Sequence, residues 1–143
     1  MNYRVALAAL VAASLLSGCG GGQSVQSLEA GDCFDDTTES LSGARVSEVP
    51  DVDCDEPHDN EVFYVGKYPG SSYDAAAFET FSDGLCYAAF EPYIGANYFE
   101  SILEVGWLVP SVESWVDGDR EVVCVAYRGD LQKLRGSVRD TGI

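Results

Sequence analysis

The residue types best suited to chemistry are crowded between Asp51 and Glu61, where six carboxylates and Cys54 surround His58, the single histidine of the chain. Oxygen and imidazole ligands of this kind can hold a divalent cation. An EF-hand loop beginning at Asp51 would need glycine sixth and glutamate twelfth, but those positions are Glu56 and Val62. The calcium motif therefore fails. The favoured interpretation is a solvated turn in which His58 and the aspartates bond nearby backbone, and a loose cation site is the alternative.

The sequence carries no recognisable catalytic machinery. It has no G-x-S-x-G element and no phosphate-binding glycine loop, and His58 has no identifiable nucleophile to activate. We therefore expect no catalytic, cofactor-binding or metal-binding residue and no enzyme activity. Arg120, which follows Asp119, is expected to form an ion pair beside a turn rather than to bind a ligand. An aromatic binding patch is a further alternative for five tyrosines near turns: Tyr64, Tyr68, Tyr73, Tyr93 and Tyr98.

The N-terminus has the organisation of an export signal. A basic start, Met1 to Arg4, precedes the apolar run Val5 to Leu16, and Leu16-Ser17-Gly18-Cys19 resembles a lipobox. Twelve apolar residues are too few to span a bilayer, which needs about 20. We predict a lipoprotein signal peptide over residues 1–18 and lipid on Cys19, which would hold the chain on the extracytoplasmic face of the cell membrane. An ordinary secretory signal or a buried helix is the alternative.

The remaining 125 residues form one strongly acidic domain. Seven basic residues face 24 acidic ones, a formal charge of −17. Such a surface repels phosphate backbones, so nucleic acid is excluded as a partner. Basic protein segments or divalent cations would be attracted. Solubility alone is the simpler explanation of the charge.

Four cysteines remain after Cys19, and an even number in an exported domain indicates two disulfides. Cys86 lies in the apolar stripe of a predicted helix, and Cys124 lies on one face of a predicted central strand. Of the three possible connectivities, we therefore choose Cys86 with Cys124 and Cys33 with Cys54.

The elements that must position these residues can be placed from periodicity. Residues 19–30, rich in glycine, are expected to be a lipidated cysteine and a flexible tether, and residues 31–143 the folded domain. Apolar residues recur at three and four positions from Ser72 to Tyr93, which predicts one long helix that begins with a Ser71–Asp74 capping box and ends at Gly95. Strands are predicted near 32–34, 44–49, 61–67, 101–109 and 121–127. The expected fold class is α+β, with a small, mostly antiparallel sheet packed against the helix and two disulfides.

Several spaced motifs resemble one family. Gly31-Asp32-Cys33-Phe34, the element from Cys54 to Asp59 with its Pro57-His58, Tyr68-Pro69-Gly70, and Trp115 with Gly118-Asp119-Arg120 are similar to the septum formation domain of actinobacterial envelope proteins, over about residues 31–137. The resemblance implies an extracytoplasmic module associated with septum formation and cell division.

The sequence and the resemblance together predict a membrane-anchored, non-catalytic binding or scaffolding module. Its expected partners are the membrane, through lipid on Cys19, and envelope or division proteins, basic segments among them. An enzyme that acts on cell-envelope polymers is the alternative function.

Overall fold

The computed structural model describes residues 21–42 and 45–143, so the predicted signal peptide and Cys19 lie outside the described residues. Six antiparallel strands form one sheet in the order β1-β3-β2-β4-β6-β5, and a long helix packs on it. The strands are β1 Gly22–Ser24, β2 Cys33–Phe34, β3 Glu48–Val52, β4 Asn60–Lys67, β5 Leu103–Leu108 and β6 Glu121–Arg128; the helices are α1 Thr38–Leu41, α2 Ala75–Ile94 and α3 Val112–Val116. Short 3-10 turns cover Val25–Ser27 and Tyr98–Glu100. The predicted fold class is confirmed.

Strand β6 lies between β4 and β5 and is apolar on both faces, as expected for an interior strand that is covered on both sides. Val122, Cys124 and Ala126 join the core under α2. Val123 and Val125 join a second core on the opposite face, together with Leu28, Phe34, Val49 and Val62. The strand therefore organises two hydrophobic clusters, one on each side of the sheet.

Helix α2 buries a stripe with a spacing of four residues, from Phe78 through Ser82, Cys86 and Phe90 to Ile94. Its N-cap is Asp74, whose carboxylate accepts from the N–H groups of Ala76 and Ala77, so the predicted capping box at Ser71 is wrong. The predicted end is confirmed, because Gly95 adopts a left-handed φ of 82° that closes the helix.

The predicted flexible tether is wrong for most of its length. Residues 22–24 pair with β3, and the Val25 N–H donates to Ser47 O. Leu28 is buried in the second core. Burial of this side chain offsets the entropy cost of ordering its neighbours, and regular structure is present from Gly22 onward within the described residues.

Residues 134–142 form a C-terminal segment without regular helix or strand. Leu134 forms an isolated antiparallel bridge with His58, and the Gly136 N–H donates to Cys54 O. Further on, the Gly142 N–H donates to Ile94 O at the end of α2. The segment thus joins the acidic element, residues 51–61, to the long helix. Among the helices of residues 21–42 and 45–143, none has the length and apolar character needed to cross a membrane.

Candidate functional site

His58, the residue around which a general base or metal site would be built, is completely buried. Its Nδ1 lies 2.8 Å from Glu56 O, and because a carbonyl oxygen only accepts, Nδ1 carries the proton. Its backbone N–H and C=O both pair with Leu134. The predicted backbone bonding is therefore confirmed, but the predicted solvation of this histidine is wrong, because the C-terminal segment covers it.

The carboxylates around His58 in sequence do not converge on it. Asp51, Asp53, Asp55 and Glu56 are exposed, and Asp53 accepts from the N–H of Asp55. Within the described residues, the one group of three potential metal ligands whose atoms lie within 4.8 Å of one another consists of Cys33, Cys54 and Glu61. Its two sulfurs are joined in a disulfide, which leaves the carboxylate of Glu61 as the remaining donor.

Asp59 belongs to a separate ion-pair network. The Lys133 ammonium lies 2.8 Å from Asp59 and 2.6 Å from Asp35. Partial burial raises the pKa of the Asp59 carboxyl, but hydrogen bonds from Lys133 and from the Asp36 N–H outweigh this and hold the pKa below its usual value. Lys133 thus forms ion pairs with both Asp35 and Asp59.

Glu61 is the most unusual group in this part of the molecule, because a carboxylate is almost never fully buried without a cation. Oε1 accepts from the Tyr93 hydroxyl at 2.8 Å and from the Ser137 hydroxyl at 2.7 Å. Oε2 accepts from the Val138 N–H at 2.7 Å. Burial, followed by the bond to Glu61, raises the pKa of Tyr93, which keeps its proton on the hydroxyl as the donor. Glu61 therefore fastens β4, α2 and the C-terminal segment together.

The four cysteines of the described residues are all paired. Cys33 is bonded to Cys54, and Cys86 is bonded to Cys124, as predicted. The first bridge joins β2 to the end of β3, beside the acidic element. The second joins α2 to the face of β6 beneath it. A disulfide sulfur carries no thiol, so in this state none of the four is a nucleophile.

A second group of motif residues meets at the start of α2. The Tyr68 ring lies 4.3 Å from the Phe78 ring and 6.1 Å from the Trp115 ring, between centroids. The Arg120 guanidinium lies 3.3 Å from the centroid of Trp115 and donates to the carbonyl oxygens of Trp115 and Asp119. Arg120 therefore stacks on an aromatic ring and caps α3. None of the ion pairs among the described residues includes Arg120, so the predicted ion pair beside the turn is wrong.

The five tyrosines do not form one aromatic patch. Tyr68 and Tyr73 both pack on Phe78 and Trp115, whereas Tyr93 packs on Phe63. Tyr98 packs on Phe90 and Tyr87, and its hydroxyl bonds to Glu104 at 2.5 Å, a contact that raises the pKa of Tyr98. Most of these rings are therefore parts of the core rather than a shared binding surface.

A cleft of about 650 Å³ lies beside the end of β5. Residues 24–26 and 45–47 line one wall, and residues 107–109 at the end of β5 line the other. Arg45, one of the lining residues, forms a salt bridge of 2.6 Å with Glu113. Sequence reasoning missed this cleft, because its walls come from strands at opposite edges of the sheet.

One family model matches most of the chain. The model of a family described as "Septum formation" matches residues 30–142. The chain belongs to the septum formation family. The match includes both groups of motif residues and the whole C-terminal segment that buries His58 and bonds Glu61. Comparison with curated proteins and with solved structures gave no match.

Membership of the septum formation family suggests a role in cell division. The motif residues on which the resemblance rests make contacts that stabilise the fold. His58 fastens a turn, Cys33 and Cys54 form a bridge, and Trp115 with Arg120 closes α3. The motifs therefore identify the fold, and a binding surface has to be sought elsewhere on it.

Proposed function

We propose that this septum formation protein is a lipid-anchored, extracytoplasmic module that binds or scaffolds other envelope proteins during division and does no chemistry of its own. The observation that carries the non-catalytic part is the burial of His58. Its Nδ1 proton is held by Glu56 O and its ring is fully covered. A general base must come within about 3 Å of the proton that it removes, and this imidazole meets no solvent-borne substrate.

The other groups that usually do chemistry also have structural partners. The four described cysteines are in disulfides, and Glu61 is fully buried with three donors around it. These contacts favour a binding module over the alternative of an enzyme that acts on envelope polymers.

The proposed anchor would limit the distance between the domain and the membrane. Gly22, the first residue of β1, lies three positions after Cys19 in the chain. Three extended residues reach at most about 10 Å. Lipid on Cys19 would therefore hold the N-terminal end of β1 next to the membrane surface, with little freedom to swing away from it.

The test is intact-mass analysis and chemical cross-linking of the full chain in its own membranes, with Cys19→Ala as the matched control. We expect the wild-type mass to include a diacylglycerol on a chain that begins at residue 19, less four hydrogens for two disulfides. We expect cross-linked division or wall-synthesis proteins to be enriched over the control. A chain without lipid would contradict the anchor, and a lipidated chain that captures no such protein would contradict the role in division.

A further inference from the structure

The edge strand β5 has the features of a docking site for another polypeptide. It lies at one end of the sheet order, with β6 as its partner on one side. The Gly129 N–H donates to Ile102 O, one step beyond the pair Leu103↔Arg128. Bonded and non-bonded pairs alternate in an antiparallel ladder, so Glu104, Gly106 and Leu108 direct their backbone groups toward β6.

The intervening residues direct their backbone groups away from the sheet. The Leu103 N–H fits this pattern, because it bonds to the Ser101 hydroxyl rather than to β6. Among residues 21–42 and 45–143, the N–H and C=O groups of Val105 and Trp107 meet no hydrogen-bond partner on that side. Unpaired strand groups of this kind form a template on which an added strand can pair.

Exposed apolar side chains precede and follow β5 in the chain. Phe99 (91% exposed) and Ile102 precede β5, and Val109, Val112 and Val116 (78% exposed) follow it. Beyond Leu108 the edge continues into the cleft, where Val25 and Val46 provide further apolar surface. An added strand would therefore cover apolar surface as well as satisfy backbone groups.

The negative charge of this region indicates which kind of partner would bind beside β5. Residues 97–119 contain five carboxylates, Glu100, Glu104, Glu113, Asp117 and Asp119, and no lysine or arginine. Of the described ion pairs, one involves this stretch, between Glu113 and Arg45. A second copy of the chain would bring the same carboxylates against them, and each copy has a formal charge of −16. Basic residues on a partner would be attracted instead.

We propose that β5 is the docking edge for an extended, basic segment of a partner protein, which adds to the sheet as a seventh strand. Six residues of β5 span about 20 Å, so the segment needs roughly six residues in extended form. Its alternate side chains would face the acidic residues and the exposed apolar residues beside the edge. This proposal rests on the proposed function as a binding module and names the surface that would do the binding.

The test uses the mature, full-length protein in zwitterionic detergent and a synthetic peptide of alternating lysine and valine, eight residues long. We expect the peptide to slow hydrogen exchange at the amides of Val105 and Trp107, while those of Glu104 and Gly106, already bonded to β6, stay unchanged. A peptide of alternating glutamate and valine is the matched ligand control and should give no protection.

A pair of charge reversals tests the choice of partner. We expect Glu100→Lys to weaken binding of the lysine peptide about two- to fivefold at 0.15 M salt, where screening confines the effect to nearby charges. Asp55→Lys, an exposed site beside the C-terminal segment, makes the same change in net charge and should leave binding unchanged.

Three outcomes would overturn the proposal. They are equal binding of the two peptides, a saturating lysine peptide that leaves Val105 and Trp107 unprotected, and protection of these amides in a dimer before any peptide is added. The last result would assign the edge to a second copy. Each of these results leaves the lipid and cross-linking tests untouched, so failure of the docking edge can be told apart from failure of the proposed function.

Discussion

Replacement of Glu61 by glutamine tests whether one buried carboxylate holds three parts of the fold together. Glutamine has nearly the same shape, so Oε1 can still accept from Tyr93 and Ser137. Its amide nitrogen would then face the Val138 N–H, and two donors would meet where one bond of 2.7 Å existed. The substitution therefore isolates hydrogen bonding from packing.

The magnitude follows from the three bonds. Loss of the bond between a charged group and the buried Val138 N–H costs about 1.5–3 kcal/mol. The two bonds at Oε1 become neutral and lose about half their strength, which adds about 1 kcal/mol in total. Removal of a buried charge relieves some desolvation and offsets part of this loss. We expect Glu61→Gln to lower the free energy of unfolding by about 2–3 kcal/mol.

Urea denaturation of the oxidised protein measures this loss, and hydrogen exchange locates it. At 1.4 kcal/mol per factor of ten, exchange at the Val138 amide should become about 30- to 100-fold faster. Glu104→Gln is the matched control, because Glu104 is exposed and also accepts from a tyrosine hydroxyl, and it should change stability by less than about 0.5 kcal/mol. Wild-type stability in Glu61→Gln, or unchanged exchange at Val138, would refute the role assigned to this carboxylate.

Three further changes test other contacts. Ser82 is fully buried in α2, and its hydroxyl has no hydrogen-bond partner among the described residues. Ser82→Ala should therefore raise the free energy of unfolding by up to about 1 kcal/mol, and a loss of more than about 1 kcal/mol in the same denaturation assay would show that the hydroxyl is bonded. Replacement of both Cys86 and Cys124 by alanine should lower the free energy of unfolding by about 4 kcal/mol, and replacement of both Cys33 and Cys54 by about 3 kcal/mol, because the two disulfides close loops of 38 and 21 residues. The reverse order in the denaturation assay would argue against the chain-entropy estimate. The folded state holds the pKa of Asp59 below its unfolded value of about 4, so it binds fewer protons than the unfolded state, and the contribution of Asp59, present above pH 4, is lost as the pH falls below it. Asp59→Asn should therefore show a smaller loss of stability between pH 5 and pH 2 than the wild type, and identical losses would contradict the pairing with Lys133.

The features that the sequence predicts are those with a strong local signal. Helix α2 follows from apolar residues at spacings of three and four, and the central position of β6 follows from a strand that is apolar on both faces. The pairing of Cys86 with Cys124 follows from these two elements together. The first two inferences use residues within a single helix or strand, and the third combines the apolar faces of two such elements.

The features that sequence reasoning missed depend on partners from distant parts of the chain. The acidic surroundings of His58 indicate solvent, but Leu134 of the C-terminal segment pairs with it. The glycines before Gln23 indicate flexibility, but β3 supplies a strand with which Gly22, Gln23 and Ser24 pair. The donors to Glu61 likewise come from α2 and the C-terminal segment. Periodicity within an element carries no information about such contacts.

Localisation of the full chain in dividing cells tests the central claim most directly. The chain would carry a small epitope on the exposed loop at Leu131 and be imaged beside its Cys19→Ala variant, which carries the same epitope. The account predicts that the wild-type protein concentrates at the forming septum on the outer side of the cell membrane, and that the variant loses this position. An even distribution of the wild-type protein around the membrane, or a septal position that persists without Cys19, would contradict it.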